Sequence, residues 1–288
     1  MNFQRTSTFL CLAAGTVLTI SSSAQAATFQ TNVSQKGDPE ADIFLESITQ
    51  NDITFDSFNL VKEAEILFNT PISLTGKNGE TSDPEAGGSI NNTGAASTDK
   101  GDEASTPDGV EVSGLEDPTD AEIAAYLGNQ NLNNIIDTED EDEASFSINL
   151  FFDNLVKADN TGLDNLFFWE RGKNSDLGIQ AIDKAGNLIG NFLKLNRNDQ
   201  FAAGYNIDTM ELSRNQRVGS WGVSLEELGI TSLAGIRVTA DPSYNGPDFK
   251  VVARGQNEAV PEPATLAGLG LVAGALMTVR RRRSSKAS

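Results

Sequence analysis

Apolar and polar positions alternate along residues 28–77. In DIFLESITQNDITFDSFNLVKEAEILF, Ile43 and Leu45, then Ile53 and Phe55, fall at a spacing of two, and Val61, Ile66 and Phe68 continue the apolar content. A period of two puts every second side chain on one face of a strand, so this block predicts two or three strands joined by short polar turns. The same period returns over 144–255. ASFSINLFFD alternates Phe146, Ile148 and Leu150 with Ser and Asn, and DNLFFWERG gathers three aromatics. SDLGIQAIDKAGNLIGNFLKL predicts a hairpin: Ile179 and Ile182 on one arm, Leu188 to Leu195 on the other, Lys184-Ala185-Gly186 turning between them. GVSLEELGI sets Ser224 three residues before Glu227 and ends at Gly229, which predicts one or two helical turns. AGIRVTA and FKVVARG read as closing strands.

Between the two blocks the pattern stops. Residues 78–143 hold 18 acidic side chains against Lys100 alone, among Gly, Ser, Thr, Asn and Pro. Such a stretch buries too little to offset its ordering entropy and is expected to be a disordered, acidic insertion. PTDAEIAAYLG interrupts it with a helix near 120–127. Thr119 and Glu122 stand at capping-box spacing, Gly128 is the stop, and Ile123, Ala124 and Leu127 form a small apolar face. Many short strands with Gly/Asn/Asp turns and little helix predict a mainly β protein: an antiparallel β-sandwich, jelly-roll-like, with short helices. The first block is too small to make its own core, so 27–255 is read as one domain built around the insertion.

Composition narrows the chemistry. The chain has 288 residues, 41 Asp and Glu against 21 Lys and Arg, a net charge of −20 and a pI of about 4.3. Such a surface repels nucleic acid. Histidine is absent and Cys11 is the only cysteine. Ser-His-Asp and Cys-His systems, His-ligated zinc and the usual neutral-pH proton shuttle are excluded.

The two ends read as addresses. In MNFQRTSTFLCLAAGTVLTISSSAQAATFQ, Arg5 precedes the apolar run Phe9 to Ile20, and Ala24-Gln25-Ala26 supplies the small residues that signal peptidase accepts. Residues 1–26 are therefore expected to be a signal peptide, which would also remove Cys11. The chain closes with VPEPATLAGLGLVAGALMTVRRRRSSKAS. Residues 256–263 are a linker with Val260-Pro261-Glu262-Pro263; 264–279 are 16 uncharged residues expected to form a transmembrane helix; 280–288 are a basic cytoplasmic tip with Arg280, Arg281, Arg282 and Arg283. At roughly 1.5 Å per residue the helix is about 24 Å long, short of a hydrocarbon core of about 30 Å. Insertion and orientation need only the apolar run and the arginines. Nothing in anchoring requires the two prolines, which make a stiff, helix-refusing stretch suited to an enzyme cleft.

Pro-Glu-Pro, a hydrophobic helix and an arginine cluster, in that order behind a signal peptide, resemble the PEP-CTERM sorting signal. The resemblance implies an exosortase as partner, which would remove the tail after a transient stay in the inner membrane, in a setting of exopolysaccharide production. The body adds a second likeness. NTGAASTDKGDEAS, AEIAAYLGNQNLNNIIDTED, LFFWERGKNSDLGIQAID, GSWGVSLEELGITSLAGIRV and NGPDFKVV are similar to the exosortase-dependent surface proteins of cyanobacteria. That family implies a localisation, the cell surface or extracellular matrix, and no transferable activity.

Three kinds of chemistry stay open. A carbohydrate-active enzyme would need paired carboxylates, one with a raised pKa. Glu170, between Phe167-Phe168-Trp169 and Arg171, is the best single candidate, and its bland reading is a structural pair with Arg171. Glycan contact would use aromatic rings, with Trp169, Trp221, Tyr205 and Tyr244 as candidates. A calcium-dependent adhesin would use the run Asp137, Glu139, Asp140, Glu141, Asp142 and Glu143, where weak Ca²⁺ binding without a defined site is expected and no EF-hand or repeat motif stands. No catalytic residue, metal-ligand set or cofactor is assigned. The leading expectation is an exported, non-enzymatic surface protein, processed by signal peptidase and an exosortase and associated with polysaccharide.

Overall fold

The computed structural model describes residues 28–34, 42–70, 118–138, 145–207 and 215–255, with the backbone of short strands at 82–83, 88–89 and 96–98. The expected signal peptide, Val260 to Pro263, the apolar run 264–279 and the arginine cluster lie outside the described residues. No helix among those described is long and apolar enough to cross a membrane.

In chain order the strands are β1 (Gln30–Val33), β2 (Leu45–Gln50), β3 (Ile53–Phe55), β4 (Phe58–Asn59), β5 (Val61–Asn69), β6 (Ser82–Asp83), β7 (Gly88–Ser89) and β8 (Ala96–Thr98). Helix α1 (Asp120–Leu127) follows, then β9 (Ile136–Thr138), β10 (Phe146–Lys157), β11 (Leu166–Arg171), β12 (Leu177–Ile182) and β13 (Leu188–Leu195). The chain continues through β14 (Phe201–Ile207), β15 (Gln216–Val223), β16 (Ser232–Ala240) and β17 (Phe249–Arg254). A five-stranded sheet runs β13-β12-β16-β10-β5, and a seven-stranded sheet runs β14-β15-β11-β17-β9-β8 with β4 added against β17. β1, β2 and β3 form a third sheet, and the pairings are antiparallel throughout. The protein is mainly β, as the period of two predicts.

Strand β11 explains the layering. All six residues of LFFWER are buried, because its sheet is covered on both faces. Leu166 and Phe168 join the core shared with the five-stranded sheet, among Ile148, Ile179, Trp221 and Val251. Phe167 and Trp169 point the other way, into a second core with Phe29, Ile48, Leu132 and Val252. The seven-stranded sheet is thus the middle layer, and β1–β3 with the 128–135 segment close its outer face.

Helix α1 carries the predicted capping box: Thr119 N donates to Glu122 Oε2 at 2.8 Å, and Glu122 N donates back to Thr119 Oγ1 at 3.4 Å. Asp120 Oδ1 accepts from Ile66 N at 2.8 Å, so the helix start covers the edge strand β5. The position after the helix takes glycine for a steric reason, since a Cβ on Gly128 would sit 2.6 Å from the Val61 carbonyl oxygen.

Three expectations change. The insertion does not stay acidic loop over 128–138: Leu132, Ile135 and Ile136 are buried, and Leu132 N donates to Ile43 O at 2.8 Å. Asparagines that looked solvent-facing make this possible by serving backbone groups. Asn129 Nδ2 donates to Tyr126 O at 3.0 Å, and Asn131 Oδ1 accepts from Asn133 N at 3.1 Å. The Ser224/Glu227 capping bonds form, but Leu225–Gly229 is a turn rather than a helix, closed by Gly229 at φ 68°. Glu170 and Arg171 act on each other only through charge: they leave opposite faces of β11, the Arg171 charge is a minor pull downward on the Glu170 carboxyl, and Arg171 Nε donates to Asp248 Oδ2 at 3.1 Å.

Candidate functional site

Antiparallel register brings five strand ends to one rim of the sandwich. Leu166 at the start of β11 stands opposite Val223 at the end of β15 and Ala253 near the end of β17. In the other sheet Lys157, ending β10, stands opposite Ser232, starting β16. The loop 158–165 therefore crosses between layers there, and so does 224–231.

Asp159 organises this rim. Its Oδ2 lies 2.8 Å from Arg254 Nη1, while its Oδ1 accepts from Arg254 Nη2 and Thr161 N, each at 3.1 Å. Arg254 is held in turn by donating through Nε to Asp164 O at 3.0 Å, with its guanidinium 5.8 Å from the Phe55 ring centre. Burial alone would raise the Asp159 carboxyl. The Arg254 and Thr161 hydrogen bonds and the Arg254 charge overcome that and hold it below the usual carboxylate range. Asp164 behaves in the opposite way. Burial pushes its carboxyl up to about 6, against a hydrogen bond from Gln50 and with a smaller push from the Glu227 charge.

Two clefts open on either side of Asp159. One of about 490 Å³ is lined by Thr54, Phe55, Lys157, Thr161 and Arg254. The other, about 560 Å³, is lined by Asp164, Asn165, Ser224, Glu226 and Glu227. Ala158, Asp159 and Leu163 belong to both. This rim was not singled out in the sequence. The local sign was ADNTGL between two strand runs, a turn-forming stretch with Gly162 at φ 69°; Arg254, 95 residues away from Asp159, gave none.

The sequence candidates fall elsewhere. Trp169 and Trp221 are 1% exposed, donating through Nε1 to Thr31 Oγ1 at 2.9 Å and to Asn196 O at 3.0 Å. Tyr205 is 5% exposed and belongs to the second core. Tyr244 alone of the four is half-exposed, with Lys194 Nζ 4.4 Å from its ring centre. A sugar ring has no face of the first three to stack on. Glu139 to Glu143 lie outside the described residues, and Asp137 is described only in its backbone, within β9.

Two buried ionisable groups lie away from the rim. Glu170 is fully buried. Its Oε2 accepts from Gln200 Nε2 at 3.0 Å and Asn174 N at 3.2 Å, and burial pushes its carboxyl up to about 8. Lys250, also fully buried, donates to Tyr126 O at 3.3 Å and Asn129 Oδ1 at 3.4 Å, at the C-terminal end of α1. Burial pushes its ammonium well below the usual lysine range. Neither lines the two clefts. No family model, no curated protein and no solved structure matches the chain.

Proposed function

We propose that this protein is exported by its signal peptide, sorted by an exosortase that reads Pro261-Glu262-Pro263, and then serves as a non-enzymatic component of the cell surface or extracellular matrix in association with exopolysaccharide. The observation that carries the reading is the ordered tail: Pro-Glu-Pro, 16 uncharged residues and four arginines, alongside Arg5, the apolar run Phe9 to Ile20 and Ala24-Gln25-Ala26. The chemistry of the body supports it. There is no histidine, the one cysteine is Cys11, and among the described residues the carboxyl pushed highest, Glu170, has no exposed surface to offer a substrate. The test is the mass of the protein recovered from the native surface fraction, together with a triple alanine replacement at 261–263. Loss of both ends and retention of the variant in the inner membrane support the reading. A mass that keeps Val279 and the arginines overturns it.

One observation favours a second reading, a carbohydrate-active enzyme. Asp164, raised to about 6, lines a cleft with Glu227, a carboxylate that adds to the rise. Against it, Asp164 is nearly sealed and its Oδ2 already accepts from Gln50 at 2.7 Å. Hydrolysis of matrix polysaccharides that disappears in Asp164→Asn would favour the enzyme.

A further inference from the structure

We infer that the paired clefts around Asp159 are a binding site for a non-anionic oligosaccharide, with one stretch of sugar in each cleft and the Asp159 carboxylate contacting the junction. The inference takes from the surface-matrix reading only the source of the sugar; the geometry stands without it. Cleft volumes of about 490 and 560 Å³ lie within the usual range of about 300–1,000 Å³ for small-ligand sites. Their sharing of Ala158, Asp159 and Leu163 sets them side by side along the rim, so that we treat them as one depression. That suits a linear chain better than a compact metabolite.

The lining chemistry matches sugar hydroxyls. A hydroxyl donates one hydrogen bond and accepts others, so sites for it combine fixed acceptors with a few donors. Asp159 supplies the fixed acceptor. Arg254 grips both of its oxygens, and the Thr161 turn grips Oδ1. Asp159 is ionised at neutral pH and its orientation is set before a ligand arrives, which lowers the ordering cost of binding. Oδ2 has a single short contact, to Arg254, and so keeps acceptor capacity toward the clefts. On one side the Phe55 ring, Leu163 and the Thr54 and Thr161 hydroxyls offer the mixed apolar and polar wall that a pyranose presents in mirror form. On the other, the exposed Glu226 adds an acceptor, while Ser224 and Asn165 are held by Glu227 and Leu225 and shape the wall. Across both clefts four carboxylates, Asp159, Asp164, Glu226 and Glu227, outnumber the two cations Lys157 and Arg254, and that acidic excess disfavours uronates, sulfated sugars and phosphate esters.

The experiment offers the purified full chain a panel of linear oligosaccharides, neutral, amino-substituted and uronate-bearing, and follows saturable binding by calorimetry. The expected result is a neutral member bound at about millimolar affinity or better, and no binding of uronates. Asp159→Asn should weaken it at least about tenfold, the scale of a charged hydrogen bond. Asp159→Asn also unpairs Arg254, so a second variant guards against misfolding. Thr54→Trp changes an exposed rim position, fills one cleft and should abolish binding while the melting temperature holds. Binding of uronates as tight as neutral chains, binding untouched by Thr54→Trp, or no binding across the panel overturns the site. A preference for amino sugars alone also overturns it, since the acidic cleft would then be reading charge. Correct surface delivery without sugar binding refutes the site and spares the sorting reading; sugar binding by a protein retained in the inner membrane does the reverse.

Discussion

Gln200 Nε2 lies 3.0 Å from Glu170 Oε2, while the amide oxygen of Gln200 and the second oxygen of Glu170 are both buried without a hydrogen-bond partner. Two unmatched acceptors in one buried cluster favour a proton on the acid, which removes a charge and supplies a donor. Folding therefore binds a proton at Glu170 between its ordinary value of 4.5 and about 8. Stability from this group is greatest at low pH and falls as pH rises through that window, by up to about 1.4 kcal/mol per pH unit. Glu170→Gln keeps the shape without the charge. Urea unfolding at pH 5 to 9 should show wild type losing stability relative to Glu170→Gln up to about pH 8, with a constant difference above. A difference that stays flat over the whole range would place the Glu170 pKa in the ordinary carboxylate region.

The glycines of β15 and β16 differ in what an added methyl meets. At Gly219 a Cβ would lie 1.8 Å from Gln200 Oε1, the far end of a side chain. At Gly235 it would lie 2.2 Å from Leu150 O and 2.9 Å from Phe151 Cα, which are backbone of the neighbouring strand β10. The Gln200 side chain can shift, at the cost of its bonds to Glu170 and Ser175 O, whereas the strand cannot. Gly219→Ala is expected to cost about 1–2 kcal/mol and Gly235→Ala about 3 or more. Melting temperatures in the reverse order would refute this account.

Gln50 and Asp164 clamp the small sheet onto the middle layer by two bonds, Gln50 Nε2 to Asp164 Oδ2 at 2.7 Å and Asp164 N to Gln50 Oε1 at 2.8 Å. Gln50→Ala breaks both and leaves a buried carboxyl with fewer partners. The expected loss is about 2–3 kcal/mol at neutral pH. It should shrink below about pH 6, where Asp164 takes up its proton. A loss independent of pH would show that the clamp works by packing alone.

Lys250 separates volume from charge. Lys250→Met fills the same space and removes a buried amine, so stability should change by less than about 1.5 kcal/mol. Lys250→Ala leaves a cavity beneath α1 and should cost about 2–4 kcal/mol. Denaturant midpoints compare the two directly. Equal damage from both would mean that the hydrogen bonds of Lys250 Nζ to Tyr126 O and Asn129 Oδ1 are what fasten the helix.

The β character, the 177–195 hairpin, α1 and its capping box were legible because each rests on neighbours in sequence: the alternation of Phe146, Ile148 and Leu150, the turn at Asp183 to Asn187, the pair Thr119/Glu122. The third layer was not. LFFWER announces a buried strand but not that Phe167 and Trp169 face one core and Phe168 another. NQNLNN looks like loop, since composition counts asparagine as solvent-facing, whereas here the amides serve backbone groups inside the protein. The glycan candidates were picked by ring type, and exposure is a property of partners far away in sequence. For the same reason the rim around Asp159 was hidden: its carboxylate became a fixed acceptor only when folding delivered Arg254.

Strand β17 ends at Arg254, on the rim where the two clefts open, so the segment toward Pro261 departs from the mouth of the depression. Five residues separate Gly255 from Pro261. A chain of that length reaches at most about 20 Å. If the tail inserts as proposed, an uncut molecule holds its depression close against the lipid headgroups, where a long polymer has little room to enter. Cutting near the Pro-Glu-Pro element would then free the protein and, in the same step, turn its mouth toward the matrix.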